Sequence, residues 1–295
     1  MTRRSSYTRS MAEPARKPPA SGGLDDDPFF YGSRWLSVHL PNGEAVLRQI
    51  PLTPDDLLDP QLGDEVTQGD QHFDMMMYLV DLLRRHFAAQ KDIYIIGDLK
   101  MLWRIPGLPG PAPDVAVIPN VRGRENRDSF DVQREGTRPC LVIEVVSSRD
   151  ATTRRNDYEK KVPIYERAGI PEYLIVDPPT RFTQDRLLLT GYRLGAEGRY
   201  QRIEPDGRGA LLSETTGLLF GVEENGRTLV VTEAETGERL LTAAESTEKL
   251  AREASEITAE LAREAAARMA AEEGRKAAEA ELARVRAELE RLRNA

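Results

Sequence analysis

The chain has one cysteine, three histidines and no apolar run near the ~18 residues that a membrane-spanning helix needs. One cysteine excludes a disulfide framework within the chain. Cys140 lies in an apolar strand pattern and reads as a buried free thiol, because a nucleophile would want a basic neighbour to draw out its thiolate. His39, His72 and His86 do not stand at ligand spacing, which argues against zinc. No signal-peptide apolar segment follows the first arginines, so a soluble, cytoplasmic protein without a membrane partner is expected. Basic charge is also outnumbered, 41 Lys and Arg against 49 Asp and Glu giving a formal net charge of -8. Phosphate affinity comes mainly from Lys and Arg, which disfavours a general nucleic-acid binder. A metal-dependent nuclease, which gathers carboxylates and confines its basic groups to one cleft, is compatible with this balance.

Three segments are present. Residues 1–28 mix Arg, Ser, Pro and Gly with the acidic run Asp25-Asp26-Asp27 and predict a disordered tail. Residues 29–237 carry alternating strand and helix patterns. "PFFYGSRWLSVHLPNGEAVLRQI" predicts a hairpin around Pro-Asn-Gly. From Gly69 to Ala89, Phe73, Met76, Met77, Val80, Leu83 and Phe87 recur at helical steps and predict an apolar stripe packed on a sheet. Strands follow at "IYIIGDL", "LKMLWRI" and "PAPDVAVI", then a polar loop from Gly123 to Thr137. "RPCLVIEVVSS", "RRNDYEKKVPIYERAGI" and "EYLIVDP" predict a β-α-β unit with parallel strands and Gly169 capping the helix. Short strands with Gly turns from Leu187 to Glu235 predict a meander that either completes the same sheet or forms a flap.

Residues 241–293 are rich in Ala, Glu, Arg and Leu, without proline, and predict a long helix or coiled coil. Leu250, Ile257, Ala271, Ala278, Val285 and Leu292 occupy d; Ala254, Leu261, Leu282 and Leu289 occupy a. Glu264, Arg268 and Arg275 interrupt the seam, and Gly274 weakens the helix by about 1 kcal/mol. A homodimer or homo-oligomer through this helix is expected.

The chemistry concentrates between Asp114 and Tyr165. In the strand 141–146, Glu144 shares a face with Val142 and Val146, where an ionised acid needs either the strand end or a cation. Asp157, Lys161 and Tyr165 stand four residues apart on one helix face. Two carboxylates and a lysine near one strand end suit a divalent metal such as Mg2+ or Mn2+ and phosphodiester hydrolysis. Each has a plainer reading: Asp114 as a Pro-Asp turn, Glu144 as a buried ion pair, Asp157 and Lys161 as an i,i+4 pair, Tyr165 as a packing residue. Pro163 removes a hydrogen bond where the helix should be continuous.

"PDVAV", "LVIEVVS", "D-x-x-x-K-x-x-x-Y" and "GIPEYLIVDP", in this order, resemble the Uma2 family (DUF820), bacterial proteins classed as endonucleases of the PD-(D/E)XK superfamily. The resemblance spans roughly Leu52 to Glu235. It implies a restriction-endonuclease-like mixed β-sheet flanked by helices, and metal-dependent cleavage of DNA. It assigns Asp114 and Glu144 as metal-binding and catalytic, Lys161 as catalytic, and Asp157 and Tyr165 as supporting. The superfamily's strand lysine is replaced by Val146, and Lys161 on the helix takes its place; Lys160 points about 100° away. Asp177 resembles a family acid without an assigned role. The alternative is a non-catalytic interaction or nucleic-acid-binding module that oligomerises through the C-terminal helix.

Overall fold

The computed structural model describes residues 27–123, 126–147, 151–179 and 184–293. The tail predicted for 1–28 lies outside the described residues except for Asp27 and Pro28. The predicted hairpin is β1 (Gly32–His39) and β2 (Ala45–Pro51), and β3 (Glu65–Val66) pairs with the start of β1, giving the sheet order β2-β1-β3. Gly32 allows that pairing: its φ is +114°, and a Cβ there would stand 1.9 Å from the Glu65 carbonyl oxygen. Gly32→Ala is therefore expected to cost more than about 1 kcal/mol in denaturant unfolding, and an unchanged midpoint would contradict this packing.

Helix α1 (Asp70–His86) carries the apolar stripe, rotated from its predicted phase. Met76, Leu79, Val80, Leu82, Leu83 and Phe87 are buried, whereas Phe73 and Met77 are 48% and 43% exposed. The sheet contacts the arc centred on Leu79 and Leu83, and the sequence pattern alone does not show which edge of a broad stripe faces inward. Next come β4 (Tyr94–Ile96), β5 (Met101–Leu102) and β6 (Val115–Ile118). The predicted polar loop 123–137 instead contains β7 (Phe130–Asp131) and the short helix α2 (Val132–Glu135). Phe130 is fully buried, and the Asp131 side chain caps α2 by accepting from the Gln133 and Arg134 backbone N–H groups.

Strand β8 (Leu141–Val145) carries Glu144. Helix α3 (Ala151–Arg155), a π turn (Asn156–Lys160) and α4 (Lys161–Arg167) then lead to β9 (Glu172–Asp177). The π turn and Pro163 go together: the helix widens just before the residue that has no N–H to give, and the Lys161 N–H bonds back to Asn156 O. Gly169, at φ +70°, ends α4 as predicted.

The predicted meander divides between two sheets. β10 (Leu188–Leu194) and β11 (Tyr200–Arg202) extend the central sheet, whereas β12 (Leu211–Ser213), β13 (Leu218–Val222) and β14 (Leu229–Glu233) form a separate one. The central sheet has the order β11-β10-β9-β8-β6-β4, with β8 and β9 parallel as predicted and its other pairs antiparallel. Leu141, Ile143 and Val145 of β8 face a core shared with α1 and β13; Val142 and Val146 face a second core with Tyr165, Tyr173 and Trp103.

The last element, α5 (Ala243–Arg293), is one helix of 51 residues. Thr242 and Glu245 open it with reciprocal bonds, Glu245 N–H to Thr242 Oγ1 (3.1 Å) and Thr242 N–H to the Glu245 carboxylate (2.8 Å). Among the described residues no helix is long and apolar enough to cross a membrane.

Candidate active site

Asp114 and Glu144 meet because of strand register. β6 and β8 pair antiparallel through Val115 opposite Ile143, and the same register puts Asp114 opposite Glu144, on one face of the sheet. Helix α4 packs over that face and delivers the third group. The Lys161 ammonium lies 2.9 Å from Glu144 Oε2 and 2.9 Å from Asp157 Oδ1. The Tyr165 hydroxyl donates to Glu144 Oε1 at 2.5 Å, and the Tyr173 hydroxyl donates to the Asp157 backbone carbonyl at 2.9 Å, tying the π turn to the sheet. All five residues predicted for the site therefore converge. Lys160 turns away and bonds Asp55 at 2.5 Å.

Asp114 is fixed at both oxygens: the Val145 backbone N–H donates to Oδ2 at 2.7 Å, and His72 Nε2 lies 3.1 Å from Oδ1. His72 and Asp98 are the site residues that sequence reasoning did not place. The His72–Asp114 contact spans 42 residues and has no local signature; its only clue is a histidine on the helix that packs against the sheet. Asp98 adopts a φ of +50° and lines the same cleft as Asp114. Asp177 anchors the helix over the sheet, accepting from Arg154 at 2.6 Å and from the Tyr158 hydroxyl at 3.1 Å.

Burial and charge compete at every group. Burial pushes the Glu144 carboxyl up to about 8, against the pull of the Lys161 ammonium. Asp157 is likewise raised by burial. Asp114 ends below the usual carboxylate range, because the charges and hydrogen bonds around it, led by His72, outweigh its desolvation. Burial works to lower His72, but Asp114 overrides it and raises the imidazole to about 9. Burial also opposes charge on Lys161, yet Asp157, Glu144 and Asp114 hold it protonated well above its ordinary value.

These groups border a cleft of about 590 Å³ between the central sheet and the segment carrying β3. Asp114, Asp157 and Lys161 line it, while Glu144 is 0% exposed and stands behind them. Glu65, Asp98 and Asp128 add acidic charge to the lining against Lys100, while Asp64, also on the lining, is paired with Arg34 at 2.6 Å. Buried Asn156 Oδ1 has no hydrogen-bond partner, and Asn156 also lines the cleft. Among the described residues no group of three or more His, Cys, Asp and Glu is gathered in a metal-binding arrangement. The donor chemistry nonetheless fits Mg2+ or Mn2+, which are held by one or two carboxylates with water completing the shell. Asp114 would offer its carboxylate at the cleft, and Glu144, buried behind it with Oε2 on Lys161, would be the second acid of such a site.

A central mixed sheet, a β-α-β unit bearing acids and a lysine, and a long C-terminal helix define a mixed α/β protein. The chain belongs to the Uma2 family, described as "Putative restriction endonuclease", whose model matches residues 57–231, more than half of its length. A solved structure of a "putative nuclease belonging to DUF820" from Anabaena variabilis ATCC 29413 is 15% identical, with 57% of this chain and 77% of that chain covered and a TM-score of 0.34. No curated protein matches the chain.

Proposed function

We propose that this chain is a divalent-metal-dependent endonuclease that hydrolyses DNA phosphodiester bonds. The observation that carries this reading is the Lys161 ammonium, bonded to Glu144 and Asp157 and beside Asp114, at the wall of a cleft. A bound Mg2+ or Mn2+ supplies Lewis acidity toward the phosphoryl oxygen and an activated water. Asp114, and Glu144 behind it, are the groups to hold such an ion. Lys161, held protonated by the acids around it, is the group to orient the attacking water and balance the negative charge that grows on the phosphoryl group. Asp157 and Tyr165 position it: one bonds the ammonium itself, the other steadies the Glu144 carboxyl.

The acidic cleft also favours a second reading, a non-catalytic module, since bare carboxylates repel phosphate. Incubating supercoiled and linear DNA with Mg2+, Mn2+ or EDTA separates the two. Metal-dependent cutting that Asp114→Asn abolishes supports the nuclease. No cutting of either DNA, with no ion bound in calorimetry, supports the module.

A further inference from the structure

Helix α5 extends about 77 Å by its rise alone and joins the body at its first turn, through Ala243 N–H to Asp81 (2.8 Å) and Arg85 to Ser246 (2.9 Å). From Thr247 to Arg293 every residue is exposed. That leaves Leu250, Ile257 and Leu261 near the start, and Leu282, Val285, Leu289 and Leu292 at the end, between 46% and 71% exposed along one seam. A seam of this kind is a surface awaiting a partner.

We infer that a second copy of the chain covers it, in a parallel, in-register coiled coil whose orientation is set by charges flanking the seam. The apolar pattern by itself does not choose a direction. Reversing one helix, so that a faces d, puts Leu250 opposite Leu289, Ile257 opposite Leu282 and Ala254 opposite Val285, and an antiparallel pair closes equally well. The flanking charges do choose. In a parallel dimer each g residue faces the next e residue of the partner, so Glu281 meets the partner's Arg286 and Glu288 meets the partner's Arg293, each contact occurring twice by symmetry. Within one chain Glu281 has only a 3.7 Å contact with Arg284. In an antiparallel dimer g faces g and e faces e. Glu253 would then oppose Glu288 and Glu260 would oppose Glu281, each contact repulsive and occurring twice by symmetry.

In the parallel pair Glu264, Arg268 and Arg275 each meet their own copy across the seam, a cost that the flanking pairs offset. Arg268 bonds Glu264 of its own helix at 2.6 Å, and in a parallel pair these two residues occupy adjacent layers, so each guanidinium keeps a carboxylate on both chains. The reversed pair sets Glu264 against Arg275, but that contact has to offset the repulsion between glutamates along its flanks. Complementarity of one sequence with itself, both signs supplied at facing positions, is what identifies the occupant as another copy. This inference is independent of what the cleft does.

Sedimentation equilibrium of the full chain tests it, because the four charged positions are exposed and remote from the body. The unaltered chain is expected to sediment as a dimer. The double substitution Glu281→Lys with Glu288→Lys sets lysine against arginine and weakens the dimer at least about tenfold. Arg286→Glu with Arg293→Glu sets glutamate against glutamate with the same result, and an equimolar mixture of the two double variants recovers the original affinity as a heterodimer. A chain that is monomeric at every concentration, or that forms trimers or tetramers, overturns the inference. So does tighter association of the lysine variant, which is the signature of antiparallel pairing.

Discussion

Lys161→Ala is expected to lower metal-dependent DNA cleavage by about a thousandfold or more, the scale on which a preorganised charge at a transition state contributes. The substitution takes the cation from between Glu144 and Asp157, both more than nine-tenths buried. Two effects then need separating. Without Lys161 these carboxyls hold their protons more tightly, which softens the loss of stability but does not restore the charge. Breaking a buried ion pair by removing one partner typically costs about 3–5 kcal/mol, and protonation of the survivors should keep the cost toward the lower end here. Rates must therefore be compared at a temperature where circular dichroism shows the variant folded. Cleavage by folded Lys161→Ala at the rate of the unaltered chain would remove Lys161 from the reaction.

The second large effect lies away from the cleft. Glu172 on β9 is 0% exposed, yet it accepts hydrogen bonds from Ser213 Oγ (2.5 Å), Thr215 Oγ1 (2.6 Å) and the Glu214 N–H (2.9 Å), and it pairs with Arg193 at 2.9 Å. One carboxylate thus joins the central sheet to the segment that leaves β12. Glu172→Ala strands several donors and the Arg193 guanidinium together, for an expected loss of about 3–5 kcal/mol, or roughly 10 °C in Tm for a body of this size. Glu172→Gln keeps the shape and part of the hydrogen bonding and should lose less. A Tm of Glu172→Ala within a degree or two of the unaltered chain would show that the cluster does not hold the sheets together.

Glu172 marks where sequence reading stops. Its strand was legible as strand, and so was the β-α-β unit, because apolar runs and helical spacing are local properties. The site acids were legible for a related reason: Glu144 is anomalous in its own strand, and the Asp157, Lys161 and Tyr165 spacing lies within one helix. Glu172 stands at a strand's first residue, where an acid looks solvated, and its donors Ser213, Glu214 and Thr215 come about forty residues later in a Gly-punctuated stretch. His72 is hidden in the same way, visible only once α1 is laid across the sheet. The phase error in α1 has a different cause. Phe73 and Met77 are as apolar as the residues that face inward, so periodicity gives the stripe but not its centre. Sequence left open where the meander strands would go, and tertiary pairing divides them between two sheets.

The widened turn at Asn156–Lys160 also governs which changes of chain length the protein tolerates. A π turn holds one residue more than a regular helix would over the same rise. Removing one residue from that turn would therefore leave an ordinary helix over the same rise, with α3 and α4 close to their present phase. Arg154 grips Asp177 on one side of the turn, and Lys161 grips Glu144 on the other. A single deletion that spares Asp157 would thus leave both cations within reach of their acids. Relatives one residue shorter between these two positions should be compared with the wide turn taken as the place of the missing residue, and one that keeps both cations is expected to keep both ion pairs.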